Sequence, residues 1–319
     1  MKTFFASLWK KELIVHDRWE LVIMRIMLAL LLWDTQSAWV GELWNPVAMV
    51  KAMVERPFLW DYPWATQAHP NGIAMWFDLT WVANDSVEKT FRALMAGSLI
   101  AYIFGVAGAW SLFVPTVFSI LSSTLANSQG SIGHTAQAMH QVMLGIWIAS
   151  VWCEVLRMKG RPLWRGFTRG QVEAEVGRQV LVAGYVVSAI SKLIESNAQW
   201  FAEAKYLPLH MLKNNDSKYC QMLDESFLKL DWLSNLMLEH PLLCQLMFGI
   251  GLPLELFAFL ALRNRKLAAI VGLALYLFHW SVMQLMSLFF VFNMALLLTF
   301  LICPWWWIAK WIKRKPVNS

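Results

Sequence analysis

The sequence predicts an all-α, polytopic transmembrane helix bundle of about eight spans with both termini cytoplasmic. Three observations carry this expectation. Of 319 residues, 58% are hydrophobic and 15% charged, with a mean hydropathy of +0.47. That is too apolar for an ordinary soluble domain. Apolar runs near or above the roughly 20 residues that cross a bilayer recur along the whole chain. Lys and Arg gather in short segments between alternate runs, as the positive-inside pattern requires. The runs do not alternate polar with apolar residues, which excludes a transmembrane barrel. The formal net charge of +6 is the cytoplasmic excess of basic residues and calls for no nucleic acid. The 20 tryptophans suit a membrane–water interface.

The spans are expected at 20–39, 91–108, 110–126, 136–155, 178–195, 241–262, 267–287 and 288–304. Lys10 and Lys11 before the first run resemble the start of a signal peptide. The run carries Arg25, however, and residues 34–40 make a poor cleavage site, so it reads as a retained helix. The second and third spans are joined tightly through Gly105, Gly108 and Trp110. One long helix kinked at Pro115 is the alternative, and it would invert everything after it. Charge favours two spans. Lys2, Lys10, Lys11 and Arg18, then Arg157 to Arg178, then Arg263, Arg265 and Lys266, then Lys310 to Lys315 all fall on one side. The other side holds two longer segments. Residues 40–90 are rich in Trp and Pro, and 196–240 carry leucines at roughly helical spacing over 219–240. Both read as partly helical caps on the outer face of a single domain spanning 1–319. Cys153, Cys220, Cys244 and Cys303 show no CxxC spacing, so no metal is expected. Cys220 and Cys244 both fall at the outer side and could be bridged; the alternative is four free, packing thiols.

Lys192 stands where the fifth apolar run leaves the membrane. A lysine at a helix centre costs about 2.5–3.5 kcal/mol on insertion scales. Tyr185, Ser188, Lys192 and Glu195 share a helix face, and on the fourth span His134, Gln137 and Gln141 do the same. Counting along each span puts Lys192 and His134 at the outer rim and His279 about two-thirds of the way out. An outward-opening polar pocket would collect these faces, with His140 and Trp200 nearby. The competing readings are structural. Lys192 snorkels or pairs with Glu195. His140 and His279 bond across helices. Arg25 and Glu255, both counted into the inner half, form an ion pair, and Met283, Met286 and Met294 only pack.

The order of several motifs resembles the HTTM family, the membrane domain shared with vitamin K-dependent gamma-glutamyl carboxylase. They are Tyr185, then Ser191-Lys192-Leu193, then Trp200; Pro253-Leu254-Glu255-Leu256; Arg263-Asn264-Arg265-Lys266-Leu267; and Phe278-His279, Met286, Phe289 and Pro304. Arg25 and the Gly-His134 pair fit upstream, so the resemblance covers about residues 20–304. It implies that Lys192 is the base that deprotonates a hydroquinone, reduced vitamin K or another, and that His134 assists, with His140 as its rival. It further implies quinol epoxidation coupled to glutamate carboxylation. An apolar rim favours the neutral amine such a base needs, and a lipid-soluble quinol reaches an intramembrane pocket through the bilayer. The chain departs from the pattern in having Ser191 before Lys192 and in lacking a large extra-membranous C-terminal region. Residues 40–90 and 196–240 are then the surfaces left to recognise a polypeptide. Short bacterial relatives of the sporulation-delaying protein B type imply peptide maturation at the outer face of the inner (cytoplasmic) membrane. Two functions are therefore expected: a quinol-dependent carboxylase-like enzyme, or a non-catalytic membrane partner in export or maturation of a secreted peptide.

Overall fold

The computed structural model describes residues 10–35, 67–129, 136–228, 231–286, 288 and 290–314. Every regular element among them is helical: α1 Arg18–Thr35, α2 Asp85–Ile103, α3 Trp110–Asn127, α4 Gln137–Met158, α5 Arg169–Glu195, α6 Trp200–Glu203 and α7 Leu207–Met222 come first. They are followed by α8 Asp231–Glu239, α9 Pro241–Gly249, α10 Gly251–Leu256, α11 Arg265–Met286, α12 Val291–Leu297 and α13 Pro304–Arg314. Each predicted span is largely helical. Among the described residues, four stretches are long and apolar enough to cross a membrane: Gln137–Met158, Pro241–Leu262, Arg265–Met286 and Val291–Ile312. A fifth counts if Arg169–Glu195 and Trp200–Cys220 form one bent span. These are the helices of an integral membrane protein. The last stretch runs past the expected end at 304, because a π-turn at Leu298–Ile302 and Cys303 lead directly into α13.

The chain divides into two compact units, Val15–Val180 and Leu181–Ser319 with Met1–Ile14; the boundary falls within α5. In the first unit α2 and α3 are separate helices, as the short joint predicts. Gly105, Ala107 and Gly108 all take positive φ (71°, 62° and 58°). A side chain at Gly105 would meet the Arg25 guanidinium at 2.8 Å, and one at Gly108 would meet the Glu154 carboxylate. Pro115 lies inside α3 rather than dividing a longer helix. Buried charges tie α1, α4 and α5 together. Glu173 accepts from Arg25 Nη2 (3.3 Å), Arg169 Nε (3.0 Å) and Ser150 Oγ (2.6 Å). Glu154 bridges Arg169 (3.4 Å) and Arg157 (2.9 Å). Arg25 also faces the Tyr102 ring, 5.6 Å from its centroid. The expected Arg25–Glu255 pair is therefore corrected: Glu173 is the carboxylate that Arg25 meets. Its position four residues after Arg169 on α5 lets one helix supply both charges.

Of the Trp-rich segment 40–90, residues 40–66 lie outside the described residues. The rest makes two 3-10 turns, Gly72–Met75 and Thr80–Ala83, clasped by Gln67, whose amide donates to the Ala74 and Phe77 carbonyls (both 3.2 Å). Trp76 and Phe77 stay exposed. In the second unit, the described residues of 196–240 include α6, α7 and α8, with α7 ending at Leu223, where φ is 52°. Met211, Met237, Cys244, Phe248, Val282 and Met286 form a buried core there. Met286 and Met294 are packing residues, as expected. A side chain at Gly272 would stand 2.7 Å from Leu301 Cβ, so α11 crosses the π-turn with backbone nearly in contact.

The bridged alternative for Cys220 and Cys244 is not formed. Both are free, as is Cys153. Cys244 is buried with its thiol on the Ala204 carbonyl (3.0 Å), whereas Cys220 is exposed.

Candidate intramembrane polar site

Lys192 lies three residues before the end of α5, and the way that helix stops positions it. The Ala198 N–H donates to the Leu193 carbonyl (2.7 Å) and the Asn197 N–H to that of Ile194 (3.1 Å). This is a Schellman closure with Asn197 in the left-handed position (φ 49°), a place where Asn is tolerated. Ser196 then fastens the two helices: its hydroxyl donates to the Lys192 carbonyl (2.7 Å) and accepts from the Trp200 N–H (3.0 Å). The result is an 82° bend between Arg169–Glu195 and Trp200–Cys220, the geometry of a broken span or a re-entrant segment. It carries the Trp200 ring to 5.4 Å from Lys192 Nζ, within cation–π range.

On its other side Lys192 Nζ meets Glu255 Oε2 at 2.5 Å. The Lys192 side chain is 27% exposed and that of Glu255 only 5%. Ser188, one turn earlier on α5, donates to the same carboxylate oxygen at 3.3 Å. A further turn back, the Tyr185 hydroxyl lies 2.9 Å from His279 Nε2 on α11, and Asn293 of α12 sits beside that hydroxyl. The His279 ring is wrapped by Tyr185, Phe278 and Phe290, with centroids 5.6, 5.8 and 5.0 Å away. Glu255 can approach because α10 begins at Gly251, where an added Cβ would strike the Phe278 ring. The polar groups thus form a chain along one face of α5, facing α10, α11 and α12.

Two members of this chain have buried atoms without a hydrogen-bond partner among the described residues, His279 Nδ1 and Asn293 Oδ1. Either imidazole tautomer leaves Nδ1 unmet. If Tyr185 donates to Nε2, Nδ1 carries an unused proton; if Nε2 donates, Nδ1 is an unused acceptor. A buried unmet group costs about 1–3 kcal/mol. The arrangement can therefore exchange a proton along the Nζ–Oε2 contact and can hold a small polar ligand through Nδ1 and Oδ1. Among the described residues no group of His, Cys, Asp and Glu is placed to hold a metal ion.

The structure brings together Tyr185, Ser188, Lys192, Trp200 and His279. It corrects the partner of Lys192, which is Glu255; Glu195 points into the open as an exposed residue. It also corrects the depths. Counting put Lys192 at the outer rim and Glu255 in the inner half, yet a 2.5 Å contact places both head groups at one level. The physical reason is that α5 begins at Arg169, nine residues before the expected start of its span. That adds about 13 Å of helix at 1.5 Å per residue and shifts the frame of the count. Gln137 and His140 belong to the other unit, where both are half-buried on the first turns of α4; His140 Nε2 is buried with no hydrogen-bond partner among the described residues. His134 lies outside the described residues. Sequence reasoning missed Asn293, a single amide in an apolar run, for which isolation among apolar neighbours was the available signal. Compared with known proteins, the chain matches no family model, no curated protein and no solved structure.

Proposed function

We propose that this chain is a quinol-linked membrane enzyme in which the Lys192–Glu255 pair moves a proton at the head group of a lipid-soluble hydroquinone. The observation that carries the reading is the unbroken polar line Tyr185–Ser188–Lys192, met by His279 and Glu255 inside otherwise apolar helices. Polar and ionisable groups at such places are retained for function by default. The motif order that resembles the HTTM family and vitamin K-dependent gamma-glutamyl carboxylase supports the hydroquinone as substrate class. The residues fit one: unmet Nδ1 and Oδ1 atoms offer hydrogen bonds to ring hydroxyls, and Phe278, Phe290 and Trp200 offer aromatic faces.

In the resting pair the ammonium is neutralised by Glu255, so Lys192 is not yet a base. Transfer of one proton from Nζ to Oε2 leaves an amine and a neutral carboxyl, an exchange that a low-dielectric site makes inexpensive because it replaces two buried charges by two neutral groups. The freed amine then accepts a proton from the ring hydroxyl, with Ser188 holding the carboxyl and His279 holding the ring's other polar atom. A bound hydroquinone would supply the reducing equivalents for oxygen-dependent epoxidation. His134 is assigned the assisting role, reduced vitamin K or another hydroquinone the cofactor role, and an exported peptide the acceptor role. The site faces outward from a bacterial inner (cytoplasmic) membrane in this reading.

A second reading is favoured by a different observation. Trp76 and Phe77 in 67–83, and Leu209, Leu223 and Trp232 in 200–240, are exposed apolar side chains on the two segments assigned to the outer face. They suit a non-catalytic partner in export or maturation of a secreted peptide. Quinone epoxide formation separates the two. Membranes carrying the chain, supplied with reduced vitamin K and oxygen, are expected to form epoxide, and Lys192→Met is expected to lower it at least 100-fold, as for loss of a general base. Equal epoxide from the variant, inserted and folded, would refute the enzyme reading; no epoxide from either would favour the partner.

A further inference from the structure

The end of α4 builds a second, separate site. Gly160 stands in the left-handed conformation (φ 63°), its N–H on the Arg157 carbonyl (3.0 Å) and the Arg161 N–H on that of Leu156 (2.9 Å). This Schellman turn folds the chain back over the last turn of α4 and sets Arg161 beside Arg157. A cavity of about 350 Å³ opens there, lined by Cys153, Glu154, Arg157, Arg161, Leu163 and Arg169. Three guanidiniums thus face one carboxylate. Glu154 is shared between Arg157 and Arg169, and Arg169 is further held by Glu173. Arg161 makes no ion pair among the described residues. The cavity therefore keeps an uncompensated positive charge and planar donor forks of the kind that grip phosphate oxygens in pairs.

Exposed apolar side chains neighbour it in sequence. Trp152, Met158 and Trp164, each next in sequence to a lining residue, are exposed at the end of a helix of membrane-spanning length. Water-facing arginines beside outward-facing indoles are the composition of a bilayer interface. We infer that this cavity binds a phosphate ester, carried by an anionic lipid whose head group enters among Arg157, Arg161 and Arg169 while its acyl chains lie along the exposed apolar end of α4. The inference rests on α4 crossing the membrane and is independent of the chemistry at Lys192. A pocket of this size accommodates one head group.

The test is native mass spectrometry of the detergent-solubilised full chain titrated with phosphatidylglycerol and, in parallel, phosphatidylcholine. One phosphatidylglycerol per chain is expected, bound at least tenfold more tightly than phosphatidylcholine. Arg157→Gln with Arg161→Gln should weaken it about tenfold or more. Arg161→Gln alone, which breaks no ion pair among the described residues and so leaves folding intact, should weaken it several-fold. Lys159→Gln, on the same loop but outside the cavity, should change nothing. Glycerol 3-phosphate, which carries the same ester without acyl chains, should fail to displace the lipid at equal concentration. Unchanged binding in the arginine variants, an equal loss with Lys159→Gln, or displacement by glycerol 3-phosphate as effective as by lipid would each overturn the assignment.

Discussion

At the scale of single residues, Lys192 is defined by what touches it. A carboxylate at 2.5 Å and an indole face at 5.4 Å leave the ammonium stabilised from two sides. Removing the charge alone strands Glu255, whose side chain is 5% exposed, without its counter-ion. Breaking a buried pair from one side costs about 3–5 kcal/mol, and the 27% exposure of the lysine reduces this to about 2–3 kcal/mol. The Ser196 hydroxyl is a second single-residue determinant, because it bonds both the Lys192 carbonyl and the Trp200 N–H. Ser196→Ala should destabilise the fold by about 1 kcal/mol, measured by thermal melting in detergent. Asn197→Gly, at φ 49°, should be neutral within error, and a loss comparable with Ser196→Ala would contradict the left-handed closure. The thiols give a third check. Cys220 should react readily with a polar maleimide in the folded protein while Cys244, packed on Ala204, should not. A 220–244 bridged peptide in non-reducing mass spectrometry would contradict the packing.

At the scale of elements, the helices were legible where apolar runs mark them, and the charged start of α5 was not. Apolar runs at membrane length located Gln137–Met158, Pro241–Leu262 and Arg265–Met286 to within a few residues, since burial in lipid leaves little choice but helix. Gly105 and Gly108 located the α2–α3 joint for a reason the coordinates show: Arg25 and Glu154 occupy the space their side chains would fill. The start of α5 was missed because Arg169 and Glu173 look like loop residues by hydropathy, whereas they pair with each other inside an ionic cluster. The partner of Lys192 was missed because Glu255 reaches it from another helix, 63 residues further along the chain, a contact that no spacing along α5 encodes. Gly272 gives the test at this scale. Its Cα hydrogens face Leu301 Cβ and the backbone near Ile302, where no flexible tip can yield. Gly272→Val should destabilise by about 1–3 kcal/mol through overpacking; a thermal midpoint equal to wild type would show that α11 and the π-turn are not in such contact.

At the scale of the whole molecule, each compact unit holds a polar assembly among its helices. Glu173 and Glu154 gather Arg25, Arg169 and Arg157 in the first unit; Glu255 gathers Lys192 and Ser188 in the second. Composition made the membrane class readable, because 15% charged residues cannot solvate a 319-residue surface. Which charges meet depends on long-range packing, which no local pattern carries; Ser188 and Lys192 sit on α5 while Glu255 arrives 63 residues later. The proposal that this second assembly is a proton-transfer site is tested most directly by a double-substitution cycle. Lys192→Met, Glu255→Gln and the two combined would be compared for thermal midpoint and for epoxide formation from reduced vitamin K. A paired charge predicts that each single change lowers the midpoint and that the double change recovers most of it, while a base at Lys192 predicts that epoxide is lost in both variants lacking it. Additive losses of stability, or epoxide formation that survives Lys192→Met, would contradict it.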